Sequence, residues 1–102
     1  MFESLENLHM KESAIVKNIL KYLKTLPECF AWKEHGGLYG TAGIPDIIAC
    51  IGGKFYGFEV KTERGKTTSL QEATITKINA AGGTAVVVRS VEDVKKILEV
   101  KI

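Results

Sequence analysis

Two adjacent glycines, Gly52 and Gly53, constrain this chain more than any other pair of residues. They separate two runs, Ile44 to Ile51 and Lys54 to Glu63, each long enough to form a strand. A two-residue connection of this kind closes a β-hairpin, and glycine accepts the positive φ its central positions need. The turn fixes the register: Ile51 faces Lys54, and counting back along both strands places Asp46 opposite Glu59. Alternation along the second strand puts Phe55, Gly57, Glu59, Lys61 and Glu63 on one face. Tyr56, Phe58, Val60 and Thr62 take the other. Glu59 and Lys61 are then neighbours about 7 Å apart.

The remaining elements follow from periodicity and punctuation. Ile15, Ile19, Leu23 and Leu26, with Val16 and Leu20 beside them, form an apolar stripe that predicts a helix from Met10 to about Leu26, stopped by Pro27. Cys29 to Lys33 is short, apolar and aromatic, and reads as a strand. A loop with four glycines follows, from Glu34 to Gly43. Beyond the hairpin, Arg64 to Thr68 is a basic loop. Ser69 with Glu72 three residues later reads as a capping box opening a helix that runs to about Ala81 and stops at Gly82-Gly83. Thr84 to Arg89 is a buried strand. Ser90 to Asp93 resembles a second helix start, leading to a closing helix around Val94 to Leu98. The order α-β-β-β-α-β-α, with one crossover helix, predicts an α/β fold with a four-stranded mixed sheet flanked by helices.

At 102 residues, 45% hydrophobic and 25% charged, the chain suits one globular domain and excludes a disordered tail or a coiled coil. That domain is expected over residues 10–102, with residues 1–9 as a leader or expression remnant. The stretch Ala42 to Gly53 carries Asp46 as its one charge and is too short for a membrane span, which needs about 20 apolar residues. With no secretory pattern at the N-terminus, a cytoplasmic location is expected. The net charge of +2 does not announce a nucleic-acid binder, so any such function must rest on a local patch. Cys29 and Cys50 lie in apolar segments and read as buried reduced thiols rather than a disulfide.

A carboxylate and an ammonium inside an apolar strand are costly unless paired or used. Taken alone, Glu59 and Lys61 are a surface ion pair on an open sheet face, and Asp46 is a turn residue after a proline. Together they are less ordinary. Two carboxylates facing each other across a hairpin repel, and a divalent cation between them turns that liability into a site. Two further polar residues stand where apolar ones belong: Glu12 on the stripe of the first helix, and Gln71 on the inward face of the second, with Glu72 assigned to the cap. Glu12, Asp46, Glu59, Lys61 and Gln71 can converge at one end of the sheet. Three carboxylates make an oxygen-rich set suited to Mg²⁺ or Mn²⁺. A lysine beside them can orient a water or stabilise a charged phosphate.

Pro45-Asp46, twelve intervening residues, then Glu59-Val60-Lys61 matches the PD-(D/E)xK nuclease pattern. The fuller set is a helical Glu12, Gly43-Ile44-Pro45-Asp46, Gly57-Phe58-Glu59-Val60-Lys61, Gly65-Lys66, Ser69-Leu70-Gln71, and Gly82-Gly83 before a valine strand. It resembles the VRR-NUC domain family in its small stand-alone phage and bacterial form, from about Glu12 to Leu98. The resemblance implies a restriction-endonuclease-like fold and Mg²⁺- or Mn²⁺-dependent DNA cleavage. It implies that Asp46 and Glu59 bind metal, with the Val60 carbonyl and Glu12 as further ligands, that Lys61 assists the attacking water, and that Gln71 orients the site. It also implies a homodimer similar to Holliday-junction resolvases, acting in DNA repair, recombination or phage DNA processing.

Contacts to DNA phosphates are expected from the two glycine-containing loops, through Lys33, His35, Tyr39, Arg64 and Lys66. No element offers a base-reading helix, so recognition of shape or backbone is expected rather than of sequence. Cutting two strands symmetrically needs two copies of one site. The competing readings are a nuclease of the same chemistry acting on flaps, ends or plain duplex, a nucleic-acid-binding module with its chemistry lost, and a small structural protein that binds no metal.

Overall fold

The computed structural model describes residues 10–35 and 42–101. Among these residues the elements are α1 (Glu12–Leu23), β1 (Cys29–Lys33), β2 (Ile47–Ile51), β3 (Lys54–Val60), α2 (Ser69–Ala80), β4 (Thr84–Val88) and α3 (Val91–Lys101). The expected order and the mixed sheet are both present. The strands lie in the order β1-β2-β3-β4. The first three are antiparallel neighbours, and β4 joins β3 in parallel after the α2 crossover.

The glycine hairpin has the expected register, with Ile51 opposite Lys54 and Ile47 opposite Phe58. Gly52 and Gly53 take φ of 57° and 80°. Ile47, Ala49, Tyr56, Phe58 and Val60 turn to the face covered by α1 and α3. There they pack with Ile15, Val16, Ile19, Leu23, Val94 and Leu98. The opposite face carries α2, which rests on β3 and β4. Phe30, Trp32, Cys50 and Phe55, on β1, β2 and the start of β3, therefore remain exposed. This corrects the expectation of two buried thiols: Cys50 is exposed and Cys29 half-buried, and both are free. Burial, with Cys50 alongside, pushes the Cys29 thiol above its usual range.

The element ends differ from their expected positions for local reasons. Helix α1 stops at Leu23 rather than Leu26. The Thr25 hydroxyl donates to the Tyr22 carbonyl (2.6 Å), and Leu26, preceding a proline, is biased away from helical ψ. Strand β2 begins at Ile47 because Gly43 to Asp46 runs as a separate segment under α2. Strand β3 ends at Val60 and β4 at Val88, though the Lys61 amide still donates to the Val88 carbonyl (3.0 Å). Helix α3 extends well past the expected core in both directions. Ser90 accepts from the Asp93 amide (3.2 Å), and the Asp93 carboxylate accepts from the Arg89 amide (2.8 Å).

The N-terminus of α2 also differs from expectation. The capping residue is Thr68, not Ser69, and its partner is Gln71, not Glu72. The Gln71 amide donates to the Thr68 hydroxyl (3.2 Å), while Gln71 Oε1 accepts from the Thr68 amide (2.9 Å). Glu72 instead accepts from the Thr67 hydroxyl (3.1 Å). At the far end, Asn79 bonds both the amide (2.8 Å) and the carbonyl (3.0 Å) of Ala85, covering part of the outer edge of β4.

Candidate functional site

Asp46 directly precedes β2, one step beyond the last hairpin pair, and that step brings it to Glu59 as the register implies. Pro45, fully buried, sets its approach. The proline ring lies over Gly57, where an added Cβ would come within 2.9 Å of Pro45 Cγ. Gly43, at φ 82°, passes so close to α2 that a Cβ would meet Leu70 and Thr74 within 2.9 Å. These two glycines let the segment carrying Asp46 lie between sheet and helix. The Asp46 carbonyl accepts from the Glu34 amide (2.8 Å), and its Oδ2 accepts from the Val60 amide (2.8 Å).

Glu59 is only 2% exposed, and Lys61 is also buried. Their ion pair spans 3.7 Å, from Lys61 Nζ to Glu59 Oε2. It is not the surface pair of the simplest sequence reading, because α2 covers this part of the sheet. Gln71 Nε2 donates to the same Oε2 (3.3 Å). One oxygen of each carboxylate is thus committed to the protein: Oδ2 of Asp46 to Val60, and Oε2 of Glu59 to Gln71 and Lys61.

Burial pushes the Glu59 carboxyl up to about 8, from 4.5. A hydrogen bond with Asp46 and the charges of Asp46 and Glu12 act in the same direction, and Lys61 opposes them. One ammonium is too little positive charge for two apposed carboxylates.

Glu12 is placed differently from its sequence expectation. It is exposed rather than turned into the core, at the first residue of α1 and one turn before the buried Ile15 and Val16. Its charge is felt at Glu59, but the direct side-chain contacts of Glu59 Oε2 are with Gln71 and Lys61, and Asp46 is held beside it by the Val60 amide. Among the described residues no three His, Cys, Asp or Glu side chains close into a metal cage. Glu12 thus stands outside the direct contacts of the Asp46–Glu59 pair. The pair still fits a hard divalent ion: Mg²⁺ is commonly held by one or two carboxylates and keeps several waters.

Of the candidate phosphate contacts, Lys33 ends β1 beside the Asp46 segment, and His35 follows it; both are exposed. Arg64 and Lys66 are exposed on the loop that leaves Lys61. Tyr39 and residues 36–41 of the glycine loop lie outside the described residues. Arg89 organises the Arg64–Lys66 loop and was not singled out from the sequence. Its guanidinium Nη1 donates to the carbonyls of Thr62, Glu63 (3.3 Å) and Gly65 (2.8 Å). A lone arginine closing a valine strand was the available signal. Two clefts, of about 480 and 410 Å³, lie elsewhere, and neither is lined by Asp46, Glu59 or Lys61.

Comparison with solved structures places the fold. A structure described as a VRR_NUC domain matches with a TM-score of 0.72 over 86% of this chain and 94% of that chain, at 24% identity. A second, described as a VRR_NUC domain protein, matches with a TM-score of 0.70 over 88% of this chain and 86% of that chain, at 17% identity. The fold is therefore VRR_NUC-like, as the motif resemblance implied. No protein-family model matches the sequence, and no curated protein does.

Proposed function

We propose that the protein is a Mg²⁺- or Mn²⁺-dependent DNA endonuclease that hydrolyses phosphodiester bonds. The observation that carries this reading is the Asp46–Glu59 pair, with Lys61 and Gln71 converging on one oxygen of Glu59. Asp46 and Glu59 would hold the ion, with the Val60 carbonyl and Glu12 as further donors directly or through water. A bound ion of this kind polarises a phosphate oxygen and acidifies its water. The chain's own residues do the rest. Val60 and Gln71 hold the two carboxylates in place. Lys61 presents its ammonium group to the attacking water or to the charge that develops on phosphorus. Water oxygen bonds to phosphorus as the bond to one sugar oxygen breaks, leaving a phosphate monoester and a hydroxyl.

The substrate of this reading is a DNA backbone lying across this end of the sheet. Lys33, His35, Arg64 and Lys66, all exposed, would contact its phosphates, and Tyr39 belongs to the same proposal. Backbone contacts of this kind favour DNA shape over sequence. Branched DNA of the Holliday-junction type, cut by a homodimer with one site per strand, is the substrate we favour, in DNA repair, recombination or phage DNA processing.

The test is incubation with a labelled four-way junction, a flap and a linear duplex in Mg²⁺, Mn²⁺ or EDTA. Metal-dependent paired nicks near the crossover support the resolvase reading. Equal cleavage of all substrates supports a generic nuclease of the same chemistry. Binding without cleavage in either metal overturns the nuclease reading in favour of a binding module.

A further inference from the structure

We infer that the Thr68 hydroxyl is a positioning group for the carboxylate pair: by fixing the first turn of α2 it keeps the Thr68 backbone N–H, which any residue but proline would supply, within reach of Gln71 Oε1, and so leaves Nε2 facing Glu59. The consequence for cleavage rests on the nuclease reading above; the geometry does not. A glutamine side chain has two ends of nearly equal shape, one accepting and one donating. With Glu59 ionised, as metal binding requires, Oε1 facing Glu59 Oε2 would set two acceptors together. The Thr68 backbone N–H, which can only donate, holds Gln71 Oε1 at 2.9 Å. The Thr68 hydroxyl meanwhile accepts from the Gln71 amide (3.2 Å) and fixes the backbone that carries the side chain. Nε2 is left as the end that reaches Glu59 Oε2, at 3.3 Å. Gln71 thus serves the helix cap and the site at once.

The cap alone does not demand glutamine. Glutamate serves equally well at this position of a capping box. The site does demand it, since a glutamate here would set another carboxylate against Glu59 and remove a donor. The two roles are therefore separable by substitution.

The experiment compares the full chain with T68V, T68S, T68G and Q71E. It reads kcat and KM on junction DNA in saturating Mg²⁺, the unfolding midpoint, and the ¹⁵N–¹H resonances of the Gln71 side-chain amide. Misplacement of a supporting group predicts that T68V lowers kcat about 10- to 100-fold with KM within about twofold. The Gln71 amide resonances should shift toward those of a solvent-exposed glutamine. T68S should restore both. T68G, which keeps most of the cap stability and so folds, should behave as T68V does. Q71E keeps the cap but adds a carboxylate beside Glu59, so it should lose at least as much kcat even at temperatures well below its own unfolding midpoint. A cap that is merely structural gives a different pattern: T68V lowers the midpoint, T68G barely does, and both keep kcat and the amide resonances, and that result overturns the inference. If the unaltered chain cleaves no DNA in any divalent ion, the nuclease reading fails, and the amide resonances alone decide whether Thr68 sets Gln71.

Discussion

Glu59 carries the electrostatic tension of the molecule, and its proton is a measurable part of the metal-free fold. Its carboxyl titrates near 4.5 when exposed and near 8 in the folded chain. Between those values only the folded form keeps the proton, so unfolding releases it and stability falls as pH rises. Below that window both forms are protonated, and above it neither is. In EDTA the unfolding midpoint should therefore decline from pH 5 to pH 8, and E59Q should flatten that slope; an unchanged slope in E59Q contradicts the assignment. In the presence of Mg²⁺, K61A and D46N should each lower the cleavage rate by about 10²–10³ or more, with DNA affinity by gel shift largely retained. The hairpin register made the apposition of Asp46 and Glu59 readable from the sequence alone. The role of Gln71 was less legible, because Thr67-Thr68-Ser69-Leu70-Gln71-Glu72 holds two overlapping capping boxes. Sequence spacing cannot choose between them; the packing of α2 on the sheet does.

At the level of elements, the site depends on how tightly one segment is threaded. Gly57 admits the Pro45 ring, and Pro45 aims Asp46. A G57A substitution should push the ring away and destabilise the fold by about 1–3 kcal/mol, measured by urea unfolding, with cleavage reduced as well. The loop from Thr62 to Gly65 depends on one guanidinium. Replacing Arg89 by alanine should cost about 1.5–3 kcal/mol, speed amide exchange across residues 62–66, and weaken DNA binding more than it slows turnover at saturation. Strand β1 and the hairpin were legible because turn chemistry and alternation agree there. The helix ends were not, because Thr25 and Ser90 decide them through single side-chain bonds.

For the whole molecule, the parallel β3–β4 pair ties the strand that bears Glu59 to the crossover helix that bears Gln71. The same crossover leaves α2 over only half of its face, which the order of elements did not reveal. No helix among the described residues is long and apolar enough to cross a membrane. The proposed symmetric cleavage requires two copies, so sedimentation equilibrium at assay concentrations should return a dimer; a monomer that still makes paired nicks contradicts that part of the proposal.

The most direct measurement is a crystal grown with Mn²⁺ and read by anomalous scattering. We predict a single strong peak between Asp46 and Glu59, within about 2.0–2.6 Å of an oxygen from each. Density elsewhere on the molecule, with the two carboxylates still bonded only to each other and to the protein, would contradict a metal-dependent site at this end of the sheet.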